Sequence, residues 1–448
     1  MRRLLFLFSF FVLGSSSIAQ ITANSPYSSF GLGEIGGLDH ARTSGIGNSL
    51  GTAIDSFTLN YYNPSSYNSL STGNPLFSIG VSSLISNFSE GNASNTSSIS
   101  SIQNFAFGFK IRKYFGAAVG LRPYSRKGYD FANYEVIGSD SIKHNYSGTG
   151  GINELFLGLS TNIFKLKSTQ LSVGANLGYL FGTVENKRSS TIVQDGQGIT
   201  GGVDLELLRA KSFHYDLGLN FTHTFRNSHE LMLSAMIDPA QNINASYSSG
   251  RYFAPDVNNS FAYDTLSYSG LQDVRIASVP RFTYGVRYNI SRQTDEDAGK
   301  KLNNLLAIHA SLSTADYTKF TLPFDTSSVN FLNSTKYTLG LEFIPETDFI
   351  NNKPITKFYE RIRYRVGGYF AELPYQTNGE QVTDFGTTFG LGLPMVIKNS
   401  LSSINLGFTF GQRGVGNQQS LSETYYGINI GVTIAPLGDN WFQKRKLN

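Results

Sequence analysis

The chain has no cysteine among its 448 residues. That excludes a disulfide-stapled secreted scaffold and any thiolate metal site. Charge is scarce too: Asp, Glu, Lys and Arg make up 15% of the residues, the net charge is +4, and the basic run Lys444-Arg445-Lys446 stands in the tail. So small a balance does not point to nucleic acid. After the first segment, no stretch reaches the ~20 uninterrupted apolar residues that a transmembrane helix needs. The six histidines (His40, His144, His214, His223, His229 and His309) include no pair at helical metal-ligand spacing, and no Gly-x-Ser-x-Gly elbow occurs. No metal, cofactor or enzymatic activity is therefore expected.

Glycine and aromatic residues are plentiful, with 46 Gly, 34 Phe and 25 Tyr, and so is alternation with a period of two. Phe105, Phe107, Phe109 and Ile111 fall on one face of an extended segment, with small or polar residues on the other. The pattern returns in Leu155-Leu157-Leu159, Leu217-Leu219-Phe221, Leu339-Leu341-Phe343, Phe385-Thr387-Phe389-Leu391-Leu393 and Ile404-Leu406-Phe408-Phe410. A strand with one apolar and one polar or glycine-bearing face, repeated many times, lies between hydrocarbon and a wet interior. The expected fold is an all-β transmembrane antiparallel β-barrel of about 14 strands. The weakly alternating 125–149 region would make it 16 if it formed an extra hairpin.

Residues 1–20 read as a signal peptide. Arg2 and Arg3 supply positive charge, Leu4 to Leu13 the apolar stretch, and Ser17-Ile18-Ala19 a small-residue cleavage site. Residues 21–75 are rich in Gly, Ser, Asn and Pro without alternation, and read as an N-terminal hatch segment that packs into or under the barrel. The barrel is expected over 76–435 and a periplasmic tail over 436–448. Alternation of short and long connections puts both chain ends in the periplasm.

Three motifs invite sharper readings. Gly31-Leu32-Gly33-Glu34-Ile35-Gly36 fits a dinucleotide-binding fingerprint, but no strand precedes it, so it reads as a glycine-rich loop. Asp295-Glu296-Asp297 lacks the alternating ligands and distal Glu of a calcium loop and reads as a solvated turn. Arg361, Arg363 and Arg365 alternate on one face, a basic ladder toward the lumen that either attracts an anionic ligand or pairs with luminal acids. Arg122, Asp216, Arg287 and Glu342, within strands, need the interior face, because Arg or Lys at the lipid midplane costs ~2–4 kcal/mol.

Residues 24–33 (Asn-Ser-Pro-Tyr-Ser-Ser-Phe-Gly-Leu-Gly), the turn Asn63-Pro64-Ser65-Ser66-Tyr67 and the ending from Pro436 to Lys446 resemble the FadL/OmpP1-like outer-membrane transport family, in its Bacteroidota branch. The resemblance implies a 14-stranded barrel whose hatch carries an Asn-Pro-Ala motif, here Asn63, Pro64 and Ser65. Trp441 and Phe442 would anchor the tail at the inner interface. It further implies passive uptake of hydrophobic small molecules such as long-chain fatty acids, by a monomer in the outer membrane of a Gram-negative bacterium. The alternative is a non-transporting barrel that binds proteins, as relatives do in the type 9 secretion system. The partners so implied are outer-membrane lipid, a hydrophobic small-molecule ligand and, in the alternative, other outer-membrane proteins.

Overall fold

A computed structural model describes residues 25–435, apart from 36–39, 73–74, 112–114, 139, 195–196, 256, 258–259, 261–262, 297–299, 323–330, 348–356, 398–399 and 417–419. Residues 1–20, expected as a signal peptide, and the expected tail with Trp441 and Phe442 lie outside the described residues, as does Asp297 of the acidic turn.

A two-residue strand, β1 (Glu34–Ile35), belongs to the luminal segment. The wall begins with β2 (Leu76–Glu90), β3 (Ala93–Ile111), β4 (Phe115–Ile137) and β5 (Asp140–Lys165). It continues with β6 (Thr169–Gln194), β7 (Gln197–Thr224), β8 (Glu230–Asp238) and β9 (Asn242–Ala254). Next come β10 (Asp264–Tyr268), β11 (Gln272–Ala277), β12 (Arg281–Glu296) and β13 (Lys300–Asp316). The ring is completed by β14 (Asn333–Ile344), β15 (Arg363–Thr377), β16 (Glu380–Ile397), β17 (Ser400–Gly414) and β18 (Ser422–Ile434), which pairs back onto β2.

The segments β8 and β9 are two lengths of one wall strand, since β7 pairs with both, and β10 to β12 are likewise three lengths of the next. Counted so, the wall is a closed antiparallel barrel of 14 strands. The 125–149 region adds no hairpin to the ring: it forms the tops of β4 and β5, paired from Ser125–Ile152 to Ile137–Asp140. Residues 291–296 and 300–303 continue β12 and β13 as a ladder to the Glu296–Lys300 pair.

Alternation places the apolar side chains outside. Phe105, Leu155, Leu157, Leu159, Phe213, Leu339 and Phe389 are exposed on the outer wall, while Arg122, Glu154, His214, Arg287, His309 and Glu342 are buried on the inner one. A soluble sandwich would show the opposite arrangement. Strands β4 to β7 and the segmented strands β8–β9 and β10–β12 beside them stand taller than most of the others, which marks that end as the exterior side. The described chain starts there and not at the periplasmic end: the Ser25 amide donates to the Gly128 carbonyl high on β4 at 2.9 Å. From there it descends the lumen to Tyr67, beside the base of the wall, before β2 begins.

Candidate functional site

The luminal segment has two parts. The upper part, residues 25–35, crosses the barrel as a bar. On one side Ser28 Oγ donates to Gly128 O at 2.7 Å, Lys127 Nζ donates to Gly31 O at 3.0 Å, and β1 pairs with Ser125 and Arg126. On the other, Ser25 Oγ donates to Glu423 at 2.8 Å, Arg413 pairs with Glu34 at 2.5 Å, and Phe30 stacks on Tyr375 with centroids 4.7 Å apart. The bar takes the edge that β4 leaves vacant after Leu121, where its ladder with β3 stops. Gly33 makes the approach possible: its φ is +92°, and a Cβ there would overlap the Arg126 carbonyl. The Gly31 to Gly33 stretch is thus a docking turn.

The lower part, residues 40–72, is a plug held by charge. Within the plug Arg42 meets Asp55 at 2.6 Å; to the wall, Arg363 of β15 meets the same carboxylate at 2.7 Å and Arg42 reaches Glu342 of β14 at 3.4 Å, which Arg365 of β15 also pairs at 2.7 Å. Arg287 donates to the carbonyls of Thr52 and Ile54, and Arg122 donates to that of Tyr61 at 2.6 Å. Of the expected ladder, Arg363 and Arg365 therefore pair with acids. Arg361 does not stand in the strand, because Phe358–Glu360 form a single 3-10 turn whose Glu360 carboxylate accepts the Lys357 amide at 2.7 Å, so β15 starts only at Arg363.

Asn63, Pro64 and Ser65 sit fully inside the lumen. Asn63 caps the short 3-10 helix Pro64–Ser69, its Oδ1 accepting from the Ser65 amide at 3.2 Å and the Ser65 hydroxyl at 2.6 Å, while its Nδ2 donates to Gly51 O at 3.2 Å. The hydroxyl that distinguishes Ser65 from the Ala of the resembling motif thus bonds to the cap itself. Opposite, Gly174 lies so close to the Pro64 carbonyl that any side chain there would collide with backbone.

Between bar and plug lies a chamber of about 300 Å³. Phe30, Leu32, Tyr124, Ile237, Phe320 and Phe331 give it an apolar lining; Arg122, Glu154, His214, Asp238 and Arg281 form its polar side. Sequence reasoning missed His214. On β7 it stands two residues before Asp216 and shares its inward face, which was the available signal. Its Nδ1 lies 3.0 Å from Glu154 and its Nε2 3.0 Å from Asp238, while Arg122 bridges Glu154 and Asp216 at 2.8 and 2.7 Å. Glu154, His214 and Asp216 are close enough to hold a cation, but both ring nitrogens are engaged and a guanidinium already neutralises the carboxylates. The cluster is an ion-pair network that stiffens the chamber wall.

The chamber also borders a seam in that wall. β8 stops at Asp238 before Pro239, and β11 stops at Ala277 before Val279 and Pro280, so two neighbouring strands break at the same height. Proline donates nothing to a ladder. Between Ala210 and Leu217, β7 consequently loses its partner on that side, while its ladder with β6 continues. Side chains span the gap: the Gln241 amide accepts from the Tyr215 N–H at 3.0 Å and donates to the Tyr215 carbonyl at 2.9 Å, in place of the missing backbone, with Ser212 to Asn242 and His214 to Asp238 beside it.

The whole chain, residues 1–448, matches the BamG family. It belongs to that family. No curated protein matches it. Among solved structures, this BamG-family chain is similar to a Pseudomonas aeruginosa FadL homologue, at 10% identity and a TM-score of 0.53, covering 89% of this chain and 98% of that one. It is also similar to the Ralstonia pickettii toluene transporter TbuX, at 10% identity and 0.50, covering 88% and 97%. The P. putida toluene transporter TodX gives 12% identity and 0.50, covering 87% and 97%. At such identities the likeness is one of fold, an outer-membrane barrel of FadL type.

Proposed function

We propose that this BamG-family barrel is a passive channel for hydrophobic small molecules in the outer membrane of a Gram-negative bacterium of the Bacteroidota, working as a monomer. Long-chain fatty acids are the extended case of that substrate class. The observation that carries the proposal is the chamber of about 300 Å³, more apolar than polar in its lining and bounded by the bar above and the plug below. Its size is at the lower end of pockets that hold small organic ligands. A ligand enters when the bar lifts and leaves sideways into the bilayer through the seam, where side-chain bonds, chiefly those of Gln241, replace the ladder.

The test is to extract the full chain mildly and analyse what co-purifies, then to follow transfer of a fluorescent fatty acid into proteoliposomes. Enrichment of an amphiphile over an unrelated barrel, with transfer that saturates, supports the proposal. A second reading, a non-transporting barrel that binds other outer-membrane proteins, draws on the charge lock of the plug to the wall through Asp55 with Arg363 and Arg42 with Glu342. Absence of any enriched amphiphile, together with transfer at the background of protein-free vesicles, would favour it.

A further inference from the structure

The alternation that turns His214 and Asp216 inward on β7 turns Tyr215, Phe213, Lys211 and Arg209 outward. Phe213 is 71% exposed and packs edge-on to Tyr179 of β6, with centroids 5.6 Å apart. These rings, with Phe181, close the apolar band at its exterior edge, where aromatic girdles sit. Directly beyond them Lys211 and Arg209 are exposed. On β11, Ile276 is buried inward, so its neighbour Arg275 faces out and is exposed as well.

Register brings the three cations together. Arg209 stands opposite Ser246, which stands opposite Asp273; one rung lower, Asn244 stands opposite Arg275, and Lys211 opposite Phe181. Strands ~4.8 Å apart and same-face residues ~7 Å apart put the three within a patch about 10 Å wide. The carboxylates facing the same surface are Glu185 and Asp273. Asp273 accepts from Ser246 at 3.3 Å, and among the described residues no ion pair joins either acid to the three cations. Arg251, higher on β9, is different: it pairs with Asp204 at 2.7 Å.

We propose that Arg209, Lys211 and Arg275 bind the phosphorylated headgroup of an outer-leaflet lipid whose acyl chains lie along Phe213, Tyr179 and Phe181. Basic clusters at headgroup depth attract anionic lipid. The adjoining rings supply the apolar contact that a free phosphate ion could not use. The patch also straddles the upper end of the seam, where Ser212 Oγ donates to Asn242 O at 3.3 Å, so a bound lipid would brace that opening from outside.

The full chain is placed in phosphatidylcholine nanodiscs doped with bis-phosphorylated lipid A, and the lipid retained after release is counted by native mass spectrometry. The triple variant Arg209→Ser, Lys211→Ser, Arg275→Ser is expected to retain about tenfold less lipid A. Arg251→Ser, and the charge-conserving set Arg209→Lys, Lys211→Arg, Arg275→Lys, should retain it as the parent does; the latter also shows that the surface still folds. Equal retention by the serine triple would overturn the proposal, as would displacement of lipid A by millimolar inorganic phosphate. The proposal rests on membrane placement alone, so it can fail while transport through the chamber stands, and the reverse.

Discussion

At the scale of single residues, the plug shows how groups that are costly to bury become fasteners. His40 caps the short helix Ala41–Ser44, its Nδ1 accepting from the Arg42 amide at 3.3 Å. Burial, and next the guanidiniums of Arg42 and Arg365, push its pKa from 6.5 down to about 3. The folded plug therefore holds His40 neutral, while an unfolded plug would take a proton below 6.5. Between pH 6.5 and 3 the unfolded form binds more protons, so the seating of the plug weakens as pH falls through that window. Asp55 adds its own loss only below its ordinary 3.8: burial would raise its pKa, but Arg42 and Arg363 outweigh that and hold it low. Limited proteolysis of residues 40–72 should rise from pH 7 to pH 4.5, and His40→Asn, which keeps an acceptor for the cap, should flatten the rise. A variant as acid-sensitive as the parent would refute the assignment. Alternation made it legible that Arg122, Asp216, Arg287 and Glu342 face inward. Which acid meets which base was not, because Asp55 and Arg363 are 308 positions apart and only register and hatch path bring them together.

At the scale of elements, the sequence carried strand count and facing well, since hydrocarbon enforces a period of two on every wall segment. It carried interruptions poorly. Pro239 and Pro280 were visible, yet nothing in one strand's pattern reveals that two breaks stand side by side after pairing. The 3-10 turn that removes Arg361 from β15 was hidden for a similar reason: a local carboxylate-to-amide bond overrode apparent alternation. The seam leads to a prediction about Gln241. Its amide reproduces both backbone bonds that Tyr215 would make with a neighbouring strand, each net about 1 kcal/mol. Gln241→Ala should leave the barrel folded, lower its heat-denaturation midpoint slightly, and raise the initial rate of fatty-acid transfer into proteoliposomes about fivefold or more. A rate unchanged at equal barrel content would remove the seam from the route.

At the scale of the whole molecule, the question is which luminal part moves. The plug is tied to the wall by the ion pairs of Asp55 with Arg363 and of Arg42 with Glu342 and by the bonds that Arg287 and Arg122 donate to its carbonyls, and breaking one buried pair of this kind costs ~3–5 kcal/mol. Lifting it would break several together. The bar is tied more lightly, through Ser25, Ser28, Lys127 and the Arg413 to Glu34 pair, and leaves the lower lumen sealed when it shifts. Motion is therefore expected in the bar alone. The absence of cysteine makes this testable without background thiols. Ser49 and Ser311, whose hydroxyls lie 3.2 Å apart, join plug to wall; Ser28 and Gly128, bonded at 2.7 Å, join bar to wall. Replaced pairwise by cysteine and oxidised, the Ser49→Cys, Ser311→Cys lock should leave fatty-acid transfer at the parent rate. The Ser28→Cys, Gly128→Cys lock should stop it until a reductant is added. If instead the plug lock stops transfer and the bar lock does not, the ligand passes downward into the periplasm, and the sideways route through the seam is wrong.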